Sequence, residues 1–192
     1  MSTVKINVKQ NRFALLARLN EEIFHIDDLQ NLWNIREKNT LHTTLKRYVD
    51  QELLYRIYRG FYSLKPLDKI DPYLLGIKAL HGYGYVSTET ILAKEGIISQ
   101  NLDKITLISS QSRRFSLAGR NYYSRKLDDK FLFNPAGLLE KAGVKSAALE
   151  RAVADLLYFN PRFHFDGKIM IDWKKVKNLQ KEIGYPPTSK RY

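Results

Sequence analysis

Phe13, Leu16, Leu19 and Ile23 recur at near-helical spacing, and Ile26, Leu29, Leu32 and Trp33 resume the pattern after a short break at 21–25. Asp27 and Asp28 fall in the first turn of the second stretch, where carboxylates suit the positive end of the helix dipole. Two short helices are predicted. A third follows, capped by Asn39 or Thr40, with Leu41, Leu45, Tyr48 and Val49 spaced i, i+4, i+7, i+8 as its inward stripe. The opposite face carries Thr43, Lys46, Arg47 and Asp50, with Asn39 at its start and His42 on its flank. Residues 53–58 and 61–64 are then rich in aromatic and β-branched residues, and Arg59-Gly60 between them suits a tight turn, so a hairpin is predicted.

The pattern changes after residue 66. Asp71-Pro72 signals a helix start, Ser87 can cap another helix, and Gly96 suits its C-terminal end. Strand-like runs follow at 105–109, 115–117, 122–125 and 131–133, with Ala118-Gly119 as a turn. Leu149, Ala152, Val153, Leu156 and Leu157 give the clearest amphipathic helix, capped by Ser146 and ended before Pro161. A strand-like 163–171 precedes a last helix with Trp173, Val176, Leu179 and Ile183 inward and lysines outward. The fold expected is α+β: an N-terminal winged helix-turn-helix over 1–66, then a mixed α+β second domain over 67–192.

Charge changes what the third helix means. The 192 residues carry 32 Lys+Arg against 20 Asp+Glu, a formal charge of +12, which puts polyanions first among partners. Residues 36–66 hold seven cations against three acids, concentrated on the third helix and the hairpin. Lys38, Asn39, Thr40, His42, Thr43, Lys46 and Arg47 therefore supply the amide, hydroxyl and cationic groups that read a major groove, and Arg56 and Arg59 supply wing contacts to the backbone. A second basic block, Lys104, Arg113, Arg114, Arg120, Arg125 and Lys126, contains no acidic residue. A third lies at Lys168, Lys174, Lys175, Lys177 and Lys181.

Other chemistries are less well served. Without cysteine there is no disulfide, thiol nucleophile or Cys-based zinc site, and the four histidines show no metal-binding spacing. Gly82-Tyr83-Gly84 lacks the rest of a dinucleotide fingerprint, and no phosphate-loop or nucleophile-elbow motif occurs. The catalytic alternative is a metal-dependent nuclease, because Asp166-Gly167-Lys168 and Asp172-Trp173-Lys174 both fit D-x-K, and Asp155 would then have to converge on them. The start MSTVKINVKQ lacks an apolar leader core and no 18-residue apolar run occurs, so a soluble, cytoplasmic protein without membrane partners or cofactors is expected.

Leu29-Gln30-Asn31-Leu32, then Thr43 to Val49, then Leu54-Tyr55-Arg56 and Arg59-Gly60-Phe61-Tyr62, resemble the winged helix of the AbiEi family. Tyr85-Val86-Ser87-Thr88-Glu89 with Glu95-Gly96-Ile97-Ile98, and Ala147 to Tyr158, resemble that family's second domain, in the same order along the chain. The resemblance implies an antitoxin and transcriptional regulator of a bacterial abortive-infection system. Its implied partners are double-stranded operator DNA with inverted repeats and a nucleotidyltransferase-like toxin, and it implies no catalysis. The C-terminal end, Lys190-Arg191-Tyr192, departs from the family in being short. A plain DNA-binding regulator with no toxin partner is the remaining expectation.

Overall fold

The computed structural model describes residues 12–19, 21–99 and 102–187; the opening decapeptide and the Lys190-Arg191-Tyr192 terminus lie outside the described residues. The protein is α+β and divides into two compact units, Met1–Ile70 and Asp71–Tyr192.

The first unit runs α1 (Arg12–Arg18), β1 (Ile23–His25), α2 (Ile26–Leu32), α3 (Lys38–Asp50), β2 (Tyr55–Tyr58) and β3 (Phe61–Ser63). The strands form one antiparallel sheet in the order β1-β3-β2. Leu16, Phe24, Leu29, Trp33, Leu41, Leu45, Tyr48 and Tyr62 share its core, and the Trp33 indole N–H donates to the Arg12 carbonyl at 3.0 Å. Ile23 belongs to a strand rather than to the helical stripe that its spacing suggested, because it pairs with Ser63 across the sheet. The cap of α3 is Glu37, not Asn39 or Thr40, which occupy the first turn.

In the second unit the elements are α4 (Pro72–Lys78), β4 (Gly84–Val86), α5 (Glu89–Lys94), β5 (Lys104–Ser109), β6 (Arg113–Leu117), β7 (Arg120–Lys126), α6 (Asp129–Leu132), β8 (Leu138–Lys141), β9 (Val144–Ala147), α7 (Leu149–Phe159) and α8 (Trp173–Ile183). The six strands order as β6-β7-β5-β4-β9-β8, with β5 parallel to β7 and β4 parallel to β9. Asp71 caps α4 as its side chain accepts from the Tyr73 and Leu74 amides, at 2.7 and 3.2 Å. On the α4 side Gly76 meets Tyr122 so closely that a Cβ would sit 2.5 Å from the ring. The opposite side of the sheet takes α5, through Thr90 and Thr106, and α7, through Tyr85.

Several local expectations yield to tertiary context. Ser146 lies in β9, and Ala148 begins α7. Ser87 gives its hydroxyl to Asp155 at 2.7 Å, leaving Thr88, at φ 52°, as the residue before α5. Phe131 and Leu132 complete α6 and Phe133 caps its C-terminal end, instead of forming a strand. The 163–171 stretch contains only a 3-10 turn, Lys168–Met170, with its aromatics used for packing: the Phe163–Phe165 and Phe165–Trp173 centroids lie 5.1 and 5.7 Å apart.

The centre of this unit is polar. Arg151 and Asp155, both wholly buried on α7, pair at 2.9 Å. The guanidinium also donates to the carbonyls of Asn134 and Ala136 and to the Tyr85 hydroxyl, at 3.1, 2.7 and 2.8 Å. The carboxylate accepts from Tyr185, Ser87 and Tyr85 at 2.6, 2.7 and 3.2 Å. Burial, reinforced by Asp155, raises the pKa of Tyr85 and Tyr185; burial pushes Tyr122 up to about 12. For Arg151, burial opposes the charge, but Asp155 and the two phenols outweigh it and its pKa is raised.

Replacing Arg151 by Met should destabilise the unit by about 3–5 kcal/mol in urea unfolding, because it strands a buried carboxylate. A tyrosine whose folded pKa exceeds its unfolded value of about 10 contributes stability that is intact below that pH and lost as pH rises through the folded pKa. Alkaline titration should therefore unfold the protein above about pH 10, with tyrosinate absorbance rising together with loss of far-ultraviolet dichroism.

Candidate nucleic-acid interface

In the first unit α3 separates two kinds of side chain. Leu41, Thr44, Leu45 and Tyr48 are buried, whereas Lys38, Asn39, Thr40, His42, Thr43, Lys46 and Arg47 are all exposed. The inward side is fixed from several elements: the Trp33 and Phe13 rings meet Tyr48 edge-on at 5.7 and 6.2 Å, and Arg12 donates to Thr44 at 3.4 Å. Packing on one side thus holds the polar side outward. Among the described residues no carboxylate pairs with Lys46, Arg47, Arg56 or Arg59, although Asp50 shares the outer face of α3. Arg47 lies over the Tyr48 ring at 5.5 Å. A guanidinium held this way keeps its N–H edge free for an incoming acceptor.

The hairpin is built to be stiff at its tip. Gly60 turns the chain at φ 83°, a conformation that favours glycine, and its carbonyl accepts from the Ile26 amide at 2.8 Å. That bond ties the tip to the start of α2. His25 stacks on Phe61 at 4.4 Å and Tyr58 tilts against the same ring at 4.9 Å, so three aromatic rings support the turn. Arg59 is exposed at the tip, and Arg56 is exposed on the edge strand β2, opposite Tyr62. The sequence did not signal the Gly60–Ile26 bond, which joins residues distant along the chain.

The second basic block does not form one patch. Neighbours in register project to the same side of a sheet, so Lys104, Arg114 and Arg125 lie on the α5 side, while Arg113, Arg120 and Lys126 lie on the α4 side. Arg125 is engaged internally, paired with Glu89. Arg113 reaches the Ala79 carbonyl at 3.4 Å.

The three aspartates of the nuclease alternative are separately occupied. Asp155 is sealed in the α7 network, Asp166 accepts from the Ser99 amide at 3.0 Å, and Asp172 caps α8 by accepting from the Lys175 amide at 3.0 Å. Among the described residues no group of three His, Asp or Glu side chains is placed to hold a metal ion. No described helix is long and apolar enough to cross a membrane.

No protein-family model and no curated protein sequence matches the chain. Among solved structures, the fold is similar to that of the RV2827C protein from Mycobacterium tuberculosis, with a TM-score of 0.50 at 12% identity, over 91% of this chain and 70% of that one. At that identity the likeness concerns fold alone.

The division of α3 into a packed and an unpacked side makes a direct prediction. Leu45→Ala should cost about 2–5 kcal/mol in thermal or urea unfolding. Lys46→Ala and Arg47→Ala should each stay within about 0.5 kcal/mol of the parent.

Proposed function

We infer that this protein is a DNA-binding transcriptional regulator whose first unit acts as a winged helix-turn-helix. One observation carries the reading: α3 exposes Asn39, Thr43, Lys46 and Arg47 on the side opposite its buried stripe, and among the described residues no carboxylate pairs with either cation. Amide, hydroxyl and guanidinium groups on one helix face match the donors and acceptors of base edges in a major groove. In this reading α3 is the recognition helix, with Lys38, Thr40 and His42 along its entry to the groove. The β2–β3 hairpin is the wing, and Arg56 and Arg59 meet phosphates beside the groove. The Gly60–Ile26 bond supports that role because it gives the wing a fixed starting point on α2.

The resemblance to AbiEi proteins adds the biological setting. The regulator is then the antitoxin of an abortive-infection pair, repressing its own operon through inverted repeats and opposing a nucleotidyltransferase-like toxin through residues 67–192. The sequence stretches at 85–98 and 147–158 support this assignment. Both map onto β4, α5 and α7 of the second unit.

A Lys46→Ala, Arg47→Ala variant separates the two roles in one experiment. In gel-shift titrations on the upstream region, loss of Arg47 should cost about 1–3 kcal/mol and relax sequence preference. The fall of log affinity with log salt should flatten by about 0.9 for each phosphate contact removed. The same variant should still restore growth to cells producing the adjacent toxin. Binding equal to the parent's would sink the groove assignment, and failure of the unmodified protein to restore growth would sink the antitoxin assignment.

A further inference from the structure

The α5 side of the sheet carries a feature that duplex recognition does not use. Its rows are Lys104, Asn121 and Ser116, then Tyr123 and Arg114 beside the buried Thr106, then Arg125 beside the buried Ile108. The Arg114 guanidinium lies over the Tyr123 ring at 5.1 Å. Arg125 lies over the same ring at 5.5 Å and over Phe159 at 5.3 Å, held in place by Glu89. Arginine and aromatic groups therefore alternate across this end of the sheet. Beside them opens a depression of about 380 Å³ at the end of the strands, lined by Lys104, Arg114, Asn121 and Tyr123 and also by Phe115 and Tyr122 of the adjoining row, which faces the α4 side.

The polar groups of the depression are ordered rather than loose. Ser116 donates to the Asn121 side-chain carbonyl at 2.7 Å, and the Asn121 amide donates to the Asp103 backbone carbonyl at 3.3 Å. Lys104 is 3.9 Å from Asp103, a long, exposed pair that water and salt readily loosen. Arg114 is exposed and has no carboxylate partner among the described residues. Lys104 on β5 and Arg114 on β6 flank the Tyr123 row from two strands about 10 Å apart.

We propose that this face of the second unit binds single-stranded nucleic acid. Lys104 takes a phosphate, while the Arg114 guanidinium, backed by the Tyr123 ring beneath it, provides the surface on which an unpaired base stacks. The ring decides between partners. A duplex keeps its base faces stacked inside, so it would use the cations and leave the aromatic row idle; an unpaired strand uses both. An acidic protein surface would likewise pair with the cations alone. Asn121, fixed by its neighbours, offers the remaining amide hydrogen to a base edge or a sugar hydroxyl. The site lies wholly within the second unit and does not depend on the reading of α3.

The test is fluorescence anisotropy of the full chain with labelled dT12 and U12 oligonucleotides and with a 12-base-pair duplex. The single strands should bind, and Arg114→Ser and Tyr123→Leu should each weaken them about ten-fold, in line with the contribution of one base stack. Tyr123→Phe, which keeps the ring, should retain binding. Arg47→Ala should leave single-strand binding unchanged, so failure of the α3 reading and failure of this one are distinguishable. Because Arg114 is exposed, Arg114→Ser reports on the site without disturbing the core. Three results would overturn the proposal: no binding of either oligonucleotide, binding unaffected by Arg114→Ser, or displacement of dT12 by the duplex as readily as by unlabelled dT12.

Discussion

The second unit is organised around one ion pair placed where water does not reach. Arg151 and Asp155 are a helical turn apart on α7, and neither has accessible surface. Two bare charges at that depth would be strongly unfavourable, so the surrounding chain has to supply partners. It does so from every direction: Tyr85 and Ser87 at the end of β4, the carbonyls of Asn134 and Ala136 after α6, and Tyr185 beyond α8. A hydrophobic cluster of equal volume would contribute comparable stability, yet it would not dictate which oxygen meets which hydrogen. Here each partner has one place to stand, and the sheet, the helix pair and the segment after α8 are registered against the same two side chains.

The first unit reaches order by a different route. Its core is apolar and aromatic, and its polar groups are turned outward rather than enclosed. The cations of α3 and the hairpin lie against little opposing charge, an arrangement that self-repulsion makes mildly unfavourable in the isolated protein. The packing of Leu41, Leu45 and Tyr48 offsets it. Packing and exposed charge are thus assigned to opposite sides of one thirteen-residue helix.

Periodicity revealed what depends on one element at a time. The inward stripes of α3, α7 and α8, the Asp71 cap and the turn at 118–119 were legible because each is a local matter of spacing, capping or backbone sign. The hairpin strands β2 and β3 were legible from their aromatic runs and the Arg59-Gly60 turn, but β1, β4, β8 and β9 were not, since they owe their form to partners elsewhere in the chain. Ser87 and Ser146 looked like caps, yet one serves a buried carboxylate and the other a strand. The outward residues of α3 were readable as candidates from sequence. The second basic block was not, because adjacent residues of a strand face opposite ways and a count of charges is blind to that. Asp155, which the nuclease alternative needed to converge on Asp166 and Asp172, is instead paired with Arg151 four residues away, a contact that spacing alone did not signal.

Arg113 and Arg114 also have a consequence through the strand that carries them. β6 is an outer strand of the six-stranded sheet, and at the other end β8 carries Glu140 and Lys141. An unpaired strand edge is a template on which further chains can add, and like charges on both sides of such a strand oppose that addition. Two copies approaching β6 to β6 would bring four guanidinium groups together around the new ladder. The sheet can therefore end in solvent at β6 without inviting growth into a fibre.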